Sequence, residues 1–326
     1  MNAKPQSILQ HSHEALNGQF RNEYTDNQNW NQYYENLVIH NGTPIYWAMK
    51  SEPIILLIHG AGHCAMTFAL LVQELKTFCS CFSYDIISHG LSQRKEALTM
   101  KNLLSECEAV IEFIRIKCPN TNILLLGHSL GAAIASKIKH QSYIRGLIVI
   151  DMIESKAFES IQIMDDQLRK RPSLFSSYSS AINYHLYNNL IRNPTSAQIT
   201  VPHYLNDKLE WKVDLIGTKQ YWEQWFEGIQ NGFDTFPYQK MLFIAESDRI
   251  PAEQFLKSRY PIHLFEKSGH NIHEDEPVRM AKHISDFLYQ QRVPINSSET
   301  EKLKQLGIIG FRPKVLSYKI ELKDII

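Results

Sequence analysis

No apolar stretch in the chain approaches the roughly 20 consecutive residues that a membrane-spanning helix needs, so no span is expected. There is no excess of charge of either sign. Lys+Arg and Asp+Glu both number 34, and the net charge is zero. This gives no basic footprint for nucleic acid or for an anionic membrane surface. Cysteine is scarce and odd in number: Cys64, Cys79, Cys81, Cys107 and Cys118, with no CxxC pair. Such a set predicts reduced, mostly buried thiols in a cytoplasmic or nuclear protein. Residues 1–20 are polar with scattered apolar residues, so no secretory leader is expected. No P-loop is present, and Gly60-x-Gly62 does not extend to GxGxxG. His59-x-x-x-His63 has metal-like spacing but lacks the Glu beside its first His, and glycines would break the helix such a motif needs. Neither a metal nor a cofactor is expected.

What is present reads as a globular α/β chain. Apolar residues make up 44% of the 326 and charged residues 21%. Leu37–His40 and Ile45–Trp47 flank Asn41-Gly42, a hairpin signal. The continuous apolar run Ile54–Ile58 has the pattern of a strand buried on both faces. Met66–Phe78 has helical spacing and leads to a strand at Cys81–Tyr84. Residues 100–117 place Met100, Leu103, Leu104, Cys107, Val110, Ile111 and Ile114 on one helical face. A strand ending at His128, a helix over 132–140 and a strand at Leu147–Ile150 follow. Further strands are expected at Met241–Ala245 and Ile262–Phe265, and Pro277 opens a helix to about Gln291.

This alternation predicts a mostly parallel central sheet with helices on both faces. The expected division is an N-terminal arm over 1–35, a core over 36–151 and 237–291, a helical cap over 152–236, and a tail over 292–326. The tail has a strand signal at Val315–Ile320. The cap segment is aromatic and polar with no buried-strand pattern, and most of its aromatics are expected to pack the cap itself. Its basic run Arg169-Lys170-Arg171 is expected to be solvated.

Chemistry concentrates at predicted strand ends, where open α/β sheets hold their sites. Gly127-His128-Ser129-Leu130-Gly131 sits between a strand and a small-residue helix start. In that context it is a nucleophile elbow, which holds the central Ser at a strained turn above the sheet. A Ser hydroxyl needs a base within hydrogen-bond reach and an acid to orient that base. His270, after the last strand, is the candidate base, and the order Ser…Asp…His fits an α/β-hydrolase. His273 is the rival; its neighbours Glu274, Asp275 and Glu276 suggest a solvated acidic turn. Asp151 and Asp248 both end strands, and spacing does not choose between them. The tetrahedral intermediate needs two amide donors, expected from Leu130 and from Ala61 in the His59–Gly62 loop.

Taken together these residues resemble the protein phosphatase methylesterases. The resemblance covers most of residues 35–290. It includes His59-Gly60-Ala61-Gly62-His63, Asp85 with Ser88-His89-Gly90, the Ser129 elbow, and Ile150-Asp151-Met152-Ile153-Glu154. Its more specific part lies in the cap: Arg169-Lys170-Arg171-Pro172, Ile191-Arg192-Asn193, and Tyr221-Trp222-x-x-Trp225-Phe226-x-Gly228. Two positions depart from the family: Ala132 and Ala61 stand where glycine is usual. The long acidic cap insert of some members is missing. The resemblance implies an α/β-hydrolase fold and a triad of Ser129, Asp151 and His270. It thereby selects Asp151 and leaves Asp248 as the alternative acid. It also implies a substrate, the methylated C-terminal leucine of the protein phosphatase 2A catalytic subunit. The rival functions are a small-molecule carboxylesterase and a binding protein that sequesters the phosphatase.

Overall fold

The computed structural model describes residues 29–245 and 260–290. Asp248, most of the expected N-terminal arm and the tail with its Val315–Ile320 strand signal lie outside the described residues. Eight strands form one sheet in the order β1-β2-β4-β3-β5-β6-β7-β8. The hairpin β1 (Asn36–His40) and β2 (Thr43–Ala48) turns at Asn41 and Gly42, whose φ values are 50° and 79°. Those left-handed angles suit the Asn-Gly pair and match the strands' twist. β2 runs antiparallel to β4 (Ser80–Tyr84); from β4 onward every pairing is parallel. The parallel strands are β3 (Ile54–Ile58), β5 (Ile123–His128), β6 (Ile144–Ile150), β7 (Gln239–Ile244) and β8 (Ile262–Leu264).

The apolar run of β3 is explained by its two faces. Ile55 and Leu57 point into one core, and Ile54, Leu56 and Ile58 into the other. β5 divides the same way, with Leu124 and Leu126 on one side and Ile123 and Leu125 on the other. A strand between two helical layers has no solvated face, so alternation disappears from its sequence.

One core is covered by α1 (Ala69–Leu75) and the last helix of the described residues, Pro277–Gln290; the other by α2 (Met100–Lys117) and α3 (Leu130–Lys137). α2 spans its expected range, but its buried stripe differs. Leu104 is only half-buried, whereas Glu106 is fully buried. The carboxylate turns inward because it has partners there: Thr43 Oγ1 at 2.8 Å and the Ile87 amide at 2.9 Å. α3 begins at Leu130 rather than 132, since Ser129 is itself the residue that opens the helix. The expected loose arm also ends earlier than residue 35. Tyr33 and Tyr34 are buried, and Tyr34 donates its hydroxyl to the Ala65 carbonyl.

Between β6 and β7 the chain is helical: α4 (Glu154–Lys170), α5 (Tyr178–Tyr187), α6 (Pro194–Thr200), α7 (Trp222–Phe226) and α8 (Ile229–Thr235). α5 and α6 join the core beneath α1, while α7 and α8 pack on the side of α3. The two tryptophans of α7 are structural. Trp225 is buried with its Nε1–H on the Leu98 carbonyl, and Trp222 with its Nε1–H on Thr218 Oγ1. Truncating a side chain buried to this extent costs about 3–5 kcal/mol. The basic run is not uniformly solvated: Arg171 stacks over Trp211 at 4.4 Å. An Arg plane gains from such a face without losing its contact with water.

Candidate active site

Ser129 stands at the tip of the β5-to-α3 turn with φ 52° and ψ −118°. This is a costly backbone state for a residue with a Cβ. The packing around it enforces the bend. A Cβ at Gly131 would lie 2.0 Å from the Ile58 carbonyl oxygen, so the helix start can approach β3 only as glycine. The Ser129 amide bonds the Ile150 carbonyl at 3.3 Å, tying the elbow to the end of β6. Leu130 is the first residue of α3, and its N–H therefore has no acceptor within the helix.

Asp151, immediately after β6, also takes a left-handed conformation, φ 49°, and is buried. Its Oδ1 accepts the Ala245 amide at 2.9 Å, and its Oδ2 accepts from His270 Nδ1 at 2.7 Å. A carboxylate only accepts, so Nδ1 donates; in the neutral ring that tautomer leaves the lone pair on Nε2. The His270 side chain is 42% exposed, whereas that of Asp151 is 0% exposed. The structure thus joins two of the three expected residues directly. Among the described residues no hydrogen bond links Ser129 Oγ to the ring; catalytic contacts of this kind are often long before substrate binds.

The loop holding His270 is clamped by groups whose pairing with it carries no signal in the sequence. Asp275 accepts the Gly269 amide and the Arg192 amide, each at 2.7 Å. Asn271 Nδ2 reaches the Leu190 carbonyl at 2.8 Å, and Arg192 reaches that of Lys267 at 2.9 Å. The helical insertion therefore holds the base's loop in place. His128, the residue before Ser129, donates from Nε2 to the His270 carbonyl at 3.0 Å. Its ring lies 4.6 Å from His270 and 4.5 Å from His273. Burial holds His128 and His273 well below the usual histidine range and brings His63 down to about 3. The rings around His270 are accordingly neutral.

The expected solvated turn after His270 is instead an interior feature. His273 and Glu274 are both fully buried. α6 lies across them, with Thr200 Oγ1 donating to Glu274 Oε1 at 2.7 Å and Ser196 Oγ to its carbonyl. His273 Nε2 meets Thr67 Oγ1 at 2.9 Å and is not available as a base. Burial raises the Glu274 carboxyl from 4.5 to about 8. The folded protein then holds that proton over a pH range in which the unfolded chain has released it. The contribution of this group to stability should therefore fall as pH rises from about 4.5 to about 8. Glu274→Gln keeps an acceptor for Thr200 and removes the titration. Its melting temperature relative to wild type is expected to be higher at pH 9 than at pH 5, by differential scanning fluorimetry. An equal offset at both values would refute the assignment.

Among the described residues no helix is long and apolar enough to cross a membrane, and no group of three or more His, Cys, Asp or Glu could hold a metal. The alpha/beta hydrolase family model matches residues 55–283. Protein phosphatase methylesterase 1 of Candida albicans is 33% identical, over 85% of this chain and 79% of its own length. Its human counterpart is 26% identical, covering 81% and 84%. Among solved structures, E-2-(acetamidomethylene)succinate hydrolase superposes with a TM-score of 0.63 at 16% identity, covering 78% of this chain and 98% of that one. An esterase of M. tuberculosis superposes with a TM-score of 0.62 at 19% identity, covering 78% and 91%. These two likenesses concern the fold alone. The elbow, the strand-end carboxylate on its imidazole and the similarity along most of the chain agree: this is a carboxylic ester hydrolase of the α/β-hydrolase fold, and it belongs to the protein phosphatase methylesterase family.

Proposed function

We propose that the chain is a serine esterase that hydrolyses the methyl ester on the C-terminal leucine of the protein phosphatase 2A catalytic subunit. The observation that carries this reading is the 2.7 Å contact between Asp151 and His270 at the strand ends, beside the strained Ser129. In the proposed reaction His270 Nε2 takes the Ser129 hydroxyl proton as Oγ attacks the ester carbonyl. The Ala61 and Leu130 amides receive the charge that develops on the carbonyl oxygen. The same proton passes to the departing methoxide, which leaves as methanol. Water then attacks the acyl-serine with His270 again as base, releasing the free carboxylate and regenerating the hydroxyl.

The relatives' names support a methylated phosphatase as the partner. A cytoplasmic or nuclear location belongs to the same proposal, supported by the free state of all five cysteines. The test compares the methylated phosphatase with a short nitrophenyl ester under the same conditions. The proposal expects kcat/KM on the phosphatase to be higher by roughly 100-fold or more, since remote binding energy raises the rate at the reacting centre. Equal values would favour a general small-molecule esterase. Tight phosphatase binding without turnover would favour sequestration.

A further inference from the structure

We infer that His59 and His89 form a reciprocal pair of neutral positioning residues that set the direction of the Ala61 N–H toward Ser129. The inference rests on the proposed roles of Ser129 as nucleophile and Ala61 as oxyanion donor.

Gly60–His63 is a β-turn closed by the His63 amide on the Gly60 carbonyl at 3.2 Å. Gly62 is its third residue, at φ 80°, the backbone state of a type II turn. The turn lies directly against the nucleophile, since a Cβ on Gly60 would be 3.1 Å from Ser129 Cβ. In a planar trans peptide the Ala61 N–H points opposite to the Gly60 C=O. Whatever holds that carbonyl therefore aims the donor.

His59 Nδ1 is 2.9 Å from the Gly60 carbonyl oxygen, and its Nε2 is 3.0 Å from the Ile86 amide. His89 Nδ1 is 2.8 Å from the Ile87 carbonyl oxygen, and its Nε2 is 2.9 Å from the Gly62 amide. An amide only donates, so each Nε2 is an acceptor. Each Nδ1 must then carry the proton and donate to its carbonyl. Each loop thus lends a ring to the other: His59 crosses from the turn to the 85–92 segment, and His89 crosses back. Both rings are fully buried and lie 5.1 Å apart. Burial brings His89 down to about 4 and His59 well below the usual range, which keeps both neutral during turnover. The 85–92 segment is anchored in turn. Glu106 accepts the Ile87 amide, and Asp85 accepts the Leu91 and Ala65 amides. A generic turn after a strand would need none of these side chains.

The two rings hold different atoms of the turn, and this gives a crossed test. The Asn amide nitrogen overlays His Nδ1, and the Gln amide oxygen overlays His Nε2. At position 89 the atom that touches the turn is Nε2, so His89→Gln should retain activity and His89→Asn should lose it. At position 59 it is Nδ1, so the order reverses: His59→Asn should outperform His59→Gln. The poorer variant of each pair is expected to lose roughly 10- to 100-fold in kcat on a nitrophenyl ester, a part of the effect of deleting a whole oxyanion donor. KM should stay within about twofold, because the donor acts on charge present only in the transition state. Affinity for a trifluoromethyl ketone, whose adduct carries that charge, should fall by the same factor as kcat/KM.

Wild type and Ser129→Ala are assayed alongside. Retained activity in Ser129→Ala would overturn the nucleophile reading on which the inference stands. An inactive Ser129→Ala together with the same Asn–Gln order at both positions, or unchanged kcat throughout, would overturn the inference alone. Ring ¹⁵N NMR of the wild-type protein gives a check that needs no variant to fold. Both rings should be the Nδ1–H tautomer at neutral pH, and an Nε2–H tautomer at either position would refute the pair.

Discussion

Ser129→Ala is expected to reduce ester hydrolysis by about 10⁴-fold or more, the scale on which a nucleophile's removal is measured in serine hydrolases. The reason is chemical rather than structural. The residue is at φ 52° in either form, and among the described residues no hydrogen bond links Ser129 Oγ to His270. Its amide bond to Ile150 and its carbonyl bonds to Ala132 and Ala133 survive the substitution. The variant should therefore melt within a few degrees of wild type and still bind the methylated phosphatase. Measured together, turnover and melting temperature separate a lost nucleophile from a lost fold. Turnover near the wild-type rate in a well-folded Ser129→Ala protein would sink the covalent mechanism.

Asp151→Asn should cost about 10³- to 10⁴-fold in kcat, because it reverses the proton arrangement on His270. Asp151 Oδ1 already receives the Ala245 amide at 2.9 Å. An Asn at this position keeps its oxygen on that donor and turns its NH₂ toward the ring. His270 Nδ1 must then become the acceptor, and the ring proton moves to Nε2. The lone pair needed to deprotonate Ser129 is lost while every heavy atom stays nearly in place. Asp248→Asn is the matching control and is expected to remain within a few-fold of wild type. The opposite ranking of the two variants would transfer the acid's role to Asp248.

Much of this architecture was legible because local chemistry determined it. The Asn41-Gly42 turn requires left-handed angles that few other pairs adopt. β3 has no polar residue because neither of its faces reaches water. The Ser129 elbow is encoded by glycines that let α3 start against Ile58. The local pattern misleads where a distant element changes a residue's surroundings. Glu274 reads as a solvated acid until α6 lays Thr200 and Ser196 over it. Glu106 reads as the polar side of α2 until Thr43 and Ile87 supply its partners. The clamps on His270 from Asp275 and His128 have no pattern that a linear reading could detect.

The sequence by itself determined the strand–turn–helix at Ser129, the mostly parallel sheet between two helical layers and the kind of residues gathered at its strand ends. These follow from steric and burial rules that act over a few neighbouring residues. Only the tertiary structure decided which groups meet. Asp151 bonds a ring 119 positions away, and His128 a carbonyl 142 positions away. Such pairings depend on strand order and on how the connecting loops cross the sheet edge, so contacts this remote leave no periodicity in the chain.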